Sequence, residues 1–389
     1  MKKIILAYSG GLDTTCVIKW LKDKGFKVIC FSANLGSEFS PSDLRKRAYQ
    51  SGAEKIYIKD LRKEFLYHYV LPALKANACY EGKYLLSTAL GRPLIAKHLV
   101  EVAKKEKADF VAHGCTGKGN DQVRLEVSVN ILDPKLKIIA PLREWEMGSR
   151  EEEIKYAKKN KLPVTSTKEK PYSIDKNIWG LSIEAGYLED LSVEPPRNSY
   201  ILLRPLKEIE DKEVRLEIEF KRGEPVSLNG KILSLVSLVE KLNVMGAKCG
   251  VGRSDLIEDR VVGIKSREIY EAPAAWILYT VHKELENLIL DRETLFFKQR
   301  IALDYAWLIY QGLYFSRLKE SLDVLVNKTQ ESISGIISLK LYKGNIIIMK
   351  RRSANSLYKK ELATYGDKDK FDRNLAEGFI KLWGMPYGK

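Results

Sequence analysis

An α/β fold is what the amino-acid sequence predicts, with a doubly wound parallel sheet first, an α+β domain after it and a helix at the C-terminal end. Three observations point there. Short apolar runs of the kind buried on both faces of a sheet alternate with helix-periodic segments over residues 1–165. Two of those runs end in dense glycine-containing polar clusters, at the strand ends where doubly wound sheets take their ligands. Beyond residue 165 the pattern changes to alternating strands with hairpin turns, interspersed with long amphipathic segments. The expected division is therefore 1–165, 166–364 and 365–389.

The first strand is the run Ile4–Ala7, and Thr14, Val17, Ile18 and Leu21 share one face of the helix that follows. Between them stand Tyr8, Ser9, Gly10, Gly11, Leu12 and Asp13. Paired glycines let backbone approach a ligand, and the unpartnered N–H groups of a helix's first turn favour an anion. Asp13 or Thr14 could cap that helix. The GxxxxGK[ST] spacing of the kinase-type phosphate loop is absent. The string SGGLDT instead resembles the pyrophosphate loop of the ATP pyrophosphatases, which cleave ATP between its α and β phosphates.

Lys27–Ser32 is a second buried strand, running into Ala33-Asn34-Leu35-Gly36, where the small Ala33 is placed to meet adenine with its backbone or is simply a strand end. Ser40-Pro41 opens a helix over 41–51, and Glu54–Ile58 is a third strand. Tyr80–Pro93 reads as a ligand-facing polar turn, with helical periodicity from Leu94 through Val102. After the strand Ala108–Ala112 comes His113–Arg124, with three glycines, a hydroxyl, an amide, a carboxylate and a guanidinium. Gly114 can let backbone approach a nucleotide; Thr116, Asn120 and Asp121 offer partners to a zwitterionic amino acid; Arg124 can clamp a carboxylate bidentately. Cys115 is read as an inert thiol.

Composition narrows the field. The five cysteines are scattered with no CxxC pair and no histidine at ligand spacing, against a zinc site and in favour of a reducing, cytoplasmic setting. The apolar run after Met1-Lys2-Lys3 is too short for a signal peptide, and no stretch has membrane-spanning length. The net charge of +15 comes from lysines spread along the helices beside glutamates, without a basic block interleaved with aromatics. It reads as solvated faces and anionic substrates rather than nucleic acid.

In the second domain, Pro163–Lys170 and Pro171 mark the junction, and Ser173 and Ser182 look by composition like turn serines. Residues 214–233 pattern as strands around Arg222-Gly223-Glu224-Pro225 and Asn229-Gly230. Ser234–Val244, 276–290 and 300–332 are helical, and Ile336–Met349 is a hairpin whose trailing Arg351-Arg352 are strand-end charges. In the tail, Lys368–Gly384, an apolar face of Phe371, Leu375, Phe379 and Leu382 must be buried somewhere.

Several ordered strings, SGGLDTT, YEGKYLLSTALGRPLIAKHLVE, AHGCTGKGNDQVR, PYSIDKNIWGLSIE, LNGK, VGRSDLIEDRVVGIKSREIYEAP and LATYG, together resemble the argininosuccinate synthase family over nearly the whole chain. The resemblance implies an ATP pyrophosphatase-type nucleotide domain of the HUP kind, a synthetase and multimerisation domain, and a C-terminal oligomerisation helix. It implies a ligase that joins L-citrulline to L-aspartate through a citrullyl-adenylate, releasing AMP and pyrophosphate in arginine biosynthesis. ATP and magnesium would be required, and a homotetramer would form, without nucleic acid or membrane partners. By resemblance ATP meets Ala7, Tyr8, Ser9, Gly10, Gly11, Leu12, Asp13, Thr14, Thr15, Ala33 and Gly114. Aspartate meets Thr116, Asn120 and Asp121. Citrulline meets Tyr84, Thr88, Asn120, Arg124, Ser173, Ser182, Glu258 and Tyr270, with Glu258 suited to the α-amino group. Asp13, Asn120 and Asp121 are the catalytic candidates; Asp13 would reach magnesium through water, and no side-chain ligand is assigned. One departure stands out: Ala89 occupies a position where the family commonly has a citrulline-contacting Ser, and Thr88 is the candidate replacement.

Overall fold

The computed structural model describes residues 2–37, 40–163 and 172–388, so the junction expected over Pro163–Pro171 lies largely outside the described residues. The N-terminal part begins β1 (Lys3–Ala7), α1 (Leu12–Asp23), β2 (Lys27–Asn34), α2 (Pro41–Gln50) and β3 (Lys55–Asp60). It continues with α3 (Arg62–Phe65), a π-helical turn over Leu66–Val70, α4 (Leu71–Lys75), α5 (Ser87–Glu106), β4 (Phe110–Ala112) and α6 (Asn120–Leu132). It closes with β5 (Lys137–Ile139), α7 (Pro141–Glu144) and α8 (Arg150–Lys159). The sheet is parallel in the order β3-β2-β1-β4-β5, so the order reverses between β1 and β4, beside the two polar clusters. The apolar run of β1 is continuous because both faces are covered. Ile5 packs into one core with Ile29 and Phe31, while Ile4 and Leu6 pack into the other with Val28 and Cys30.

One sequence expectation changes here, and a second point is decided. The long helix starts at Ser87, seven residues before Leu94, with Pro93 inside it. Its first turn is satisfied by a side chain that no local pattern announces: the Tyr84 hydroxyl accepts from the N–H groups of Thr88 (3.0 Å) and Ala89 (3.1 Å). Leu86, at φ +61°, turns the chain tightly enough to bring the ring there. The second point is left open by the sequence: Asn120–Arg124 form the first turn and a half of α6, which fixes their side chains on a rigid element.

The remainder carries β6 (Ser173–Asn177), β7 (Gly180–Glu184), β8 (Val214–Lys221), β9 (Glu224–Leu228), β10 (Lys231–Ile232) and α9 (Leu235–Lys248). Then come β11 (Arg253–Asp259), β12 (Lys265–Glu271), α10 (Pro273–Ile289), α11 (Arg292–Tyr310), α12 (Arg317–Thr329), β13 (Gly335–Tyr342), β14 (Asn345–Arg352), α13 (Lys360–Ala363) and α14 (Asn374–Gly384). Two antiparallel sheets result, β11-β12-β7-β6 and β10-β9-β8-β13-β14. Ser173 and Ser182 are not turn residues: they sit on the adjacent strands β6 and β7, and the turn falls at Ile178-Trp179. The segment 300–332 is two helices parted at Gln311–Ser316.

The two parts are stitched near the nucleotide-side strand end. The Ile178 N–H donates to the Leu35 carbonyl at 2.7 Å, and Asn177 Nδ2 donates to the Ser87 carbonyl at 2.8 Å. Among the described residues nothing covers the apolar face of α14: Leu375, Phe379, Ile380, Leu382 and Trp383 are 59–69% exposed. All five cysteines are free, and no helix among the described residues is long and apolar enough to cross a membrane.

Candidate active site

A cleft of about 600 Å³ opens at the C-terminal ends of β1, β2 and β4 and is walled on its far side by β6, β7, β11 and β12. Its floor is the turn from β1 into α1. Gly10 holds φ +80°, where a side chain would be strained, and its carbonyl accepts from the Arg47 guanidinium of α2. Gly11 is the N-cap residue, extended, and no side chain caps the helix. The expectation that Asp13 or Thr14 caps α1 is thus wrong. Both lie inside the helix, and Ser9 Oγ engages Gly11 N (3.3 Å) and Thr14 Oγ1 (3.1 Å) instead. The helix end is left as a cradle of backbone donors and hydroxyls, which is what an anion requires. Behind it, buried Glu153 of α8 is hydrogen-bonded to Asp13; burial first, then the neighbouring Asp13, pushes Glu153 up to about 8.

Of the residues expected around ATP, Ala7, Tyr8, Ser9, Asp13, Thr14, Ala33 and Gly114 line the cleft. Gly10 and Gly11 shape the turn without contributing to the wall. Leu12 packs against Ala157 and Leu162, and the Thr15 hydroxyl meets that of Tyr8 at 3.3 Å.

The opposite half is built by convergence of seven elements, α5, α6, β6, β7, β11, β12 and α11. Asn120, first residue of α6, accepts from the Val261 N–H at 2.9 Å and donates to the Tyr310 hydroxyl at 2.8 Å, with Glu258 Oε1 at 3.4 Å. Asp121 is held by Arg92 Nη2 (2.7 Å) and Arg124 Nη1 (3.1 Å), and Arg92 also pairs with Asp175 on β6. Burial alone would raise Asp121, but the two guanidiniums outweigh it and hold the carboxyl below the usual range. Arg124 spends Nε on the Tyr310 carbonyl (2.8 Å) and Nη1 on Asp121, leaving Nη2 buried without a hydrogen-bond partner among the described residues. The bidentate clamp expected of it is therefore reduced to one free nitrogen, a donor awaiting an acceptor.

Glu258 receives the Tyr270 hydroxyl on Oε2 and the Tyr310 hydroxyl on Oε1 at 2.5 Å; burial raises its pKa against those bonds. Tyr270 stacks on Tyr84 with centroids 4.1 Å apart. Thr88 Oγ1 lies 3.4 Å from Ser182 Oγ, while Ala89 is fully buried. Thr88, Thr116, Asn120, Asp121, Arg124, Ser173, Ser182, Glu258, Tyr84 and Tyr270 all line the same cleft as the phosphate-side cradle. So do residues the sequence reading missed: Arg92, Asp175, Arg260, Glu184 and Glu268. Arg260 bridges Glu184 and Glu268, and burial with the nearby Glu184 and Glu258 charges pushes Glu268 up to about 8. Asp175 had a findable signal, since it alternates with Ser173 along a strand. Tyr310, buried and distant in sequence, had none. Among the described residues no group of three or more His, Cys, Asp or Glu could hold a metal.

The model of the arginosuccinate synthase N-terminal HUP domain matches residues 3–163, and that of the arginosuccinate synthase C-terminal domain matches 172–389. The argininosuccinate synthase of Carboxydothermus hydrogenoformans is 53% identical over 99% of this chain and 96% of its own. That of Chlorobium limicola is 52% identical over 99% and 96%. That of Caldanaerobacter subterraneus subsp. tengcongensis is 51% identical over 99% and 94%.

Proposed function

The chain belongs to the argininosuccinate synthase family and is a ligase of that type, and on that premise we propose that it couples L-citrulline to L-aspartate through a citrullyl-adenylate. The observation that carries this reading is the continuity of the cleft. A backbone anion cradle and a wall of amino-acid-sized polar contacts face each other across one cavity. A ureido oxygen is a weak nucleophile, so it has to meet the α phosphate held in line. The oxygen–phosphorus bond forms as the α–β phosphoanhydride breaks, and pyrophosphate departs into the turn formed by Ser9–Thr15. The aspartate amine then attacks the ureido carbon and AMP leaves with the former ureido oxygen. Positioning of this kind is worth up to roughly 7–11 kcal/mol of barrier.

In this scheme Arg124 Nη2 takes a citrulline carboxylate, Glu258 takes the α-amino group, Asn120 touches both amino acids, and Thr116 and Asp121 hold aspartate. Asp121 is a binder and not a base, because two guanidiniums stabilise its charged form. The donor set also suits magnesium. Asp13 lines the cleft beside the cradle, and its carboxylate would hold the ion through water. When bound, magnesium neutralises charge on the phosphate oxygens. The exposed apolar face of α14 supports a homotetramer in which that helix packs on a neighbour, and the free cysteines suit the cytoplasm. The test uses citrulline carrying heavy oxygen in its ureido group. Citrulline-dependent pyrophosphate release with the label in AMP supports the scheme; pyrophosphate release without label in AMP overturns the adenylate.

A further inference from the structure

We propose that Tyr310, at the last turn of α11, is a positioning residue of this site: its hydroxyl holds Glu258 and Asn120 in the geometry with which they meet citrulline. The inference rests on the assignment of those two residues to citrulline.

Tyr310 is fully buried and does not line the cleft, so it can act only through neighbours. Its hydroxyl donates to Glu258 Oε1 at 2.5 Å and accepts from Asn120 Nδ2 at 2.8 Å. A phenol is suited to that place because it donates to a carboxylate and accepts from an amide with one atom. Glu258 is thereby gripped on both oxygens, by Tyr310 on one and Tyr270 on the other. Without the Tyr310 hydroxyl, Oε1 would keep only Asn120 at 3.4 Å, a long contact. Asn120 would lose its short acceptor, although the Val261 N–H at 2.9 Å would still fix which way its amide points.

The tyrosine is itself held firmly. Its ring stacks on Tyr80 with centroids 3.6 Å apart, and the Arg124 guanidinium lies 4.8 Å from the ring centre. Its carbonyl takes Arg124 Nε at 2.8 Å, a backbone contact that survives any side-chain change. Burial and the charge of Glu258 raise the hydroxyl's pKa, so it stays protonated across the working range. One oxygen atom therefore ties together α6 of the N-terminal part, β11 and α11.

The experiment is Tyr310→Phe, alone and combined with Glu258→Gln, in the full-length protein. Removing one hydrogen bond to a charged group predicts a rise of about tenfold in the citrulline KM of Y310F, with the ATP KM within about twofold of wild type. Because the hydroxyl works through Glu258 and Asn120 and does not touch citrulline, the double variant should be less impaired toward citrulline than the two single effects multiplied together. Multiplied effects in the double variant, or an equal rise in the ATP KM, would overturn the positioning role. If E258Q leaves the citrulline KM unchanged, it is the underlying assignment of Glu258 that fails, and the inference falls with it.

Discussion

The glycine turn and the side-chain wall that faces it occupy one cleft but are made in opposite ways. The turn is a single strand–turn–helix whose working groups are backbone N–H donors and the hydroxyls of Ser9 and Thr14, all within a few residues of each other. The wall is a network of charged and aromatic side chains drawn from α5, α6, β6, β7, β11, β12 and α11, held by bonds that span up to 190 positions of sequence. A backbone cradle has few ways to fail short of changing its glycines. A converging wall fails wherever one partner is removed, because the others are left buried with unmet charge.

The comparison is tested hardest at Asp121. Asp121→Ala strands Arg92 and Arg124 together, and removing one partner of a buried ion pair costs about 3–5 kcal/mol, less here because Asp121 is 27% exposed. Citrulline-dependent pyrophosphate release and product formation should both fall, by about a hundredfold, since Arg124 is disturbed with Asp121. Retention of the first activity would show that the wall is divisible after all. Next in size is Gly10→Ala, where an L-residue at φ +80° costs about 1–2 kcal/mol. The ATP KM should rise roughly tenfold with the citrulline KM unmoved; parallel rises would mean that the two halves are not built independently.

A third test uses pH. Each half contains a carboxyl pushed from the ordinary carboxylate range up to about 8, Glu153 in the first and Glu268 in the second. A raised folded-state pKa means that the folded protein binds the proton more tightly. The stability it brings is full below about pH 4.5 and is lost as pH rises to about 8. Thermal melts of E153Q and E268Q should each decline less steeply than wild type across that window; unchanged slopes would remove the linkage. The smallest effect is expected from Thr88→Ala. Its 3.4 Å contact with Ser182 is weak, and a two- to threefold rise in the citrulline KM, by steady-state kinetics, is about what one such contact contributes. A larger rise would make Thr88 a full stand-in for the serine missing at Ala89.

The same contrast explains what could be read in the chain. β1, the glycine turn, α1 and the hairpin over β8 and β9 follow from contiguous residues, because periodicity and turn chemistry are local. The start of α5 was hidden since its first N–H groups are satisfied by Tyr84 and not by a preceding cap, and Pro93 looked like a boundary. Ser173 and Ser182 looked like turn residues because β6 and β7 present polar side chains to a cleft where an ordinary strand would be apolar. Arg92 was visible as a residue but not as a partner, since Asp121 and Asp175 are brought to it by tertiary structure alone.

The stitch beside Ile178 has a bearing on how such a protein can change over generations. Gly36 sits at φ +102°, and a methyl group there would come within 2.6 Å of Ile178 Cβ and 2.8 Å of its nitrogen. The rim of the nucleotide pocket and the hairpin bearing Ser173 and Ser182 thus share a partition without slack. A change of bulk on either side of that partition is transmitted to the other, so the two facing walls of the cleft are constrained together.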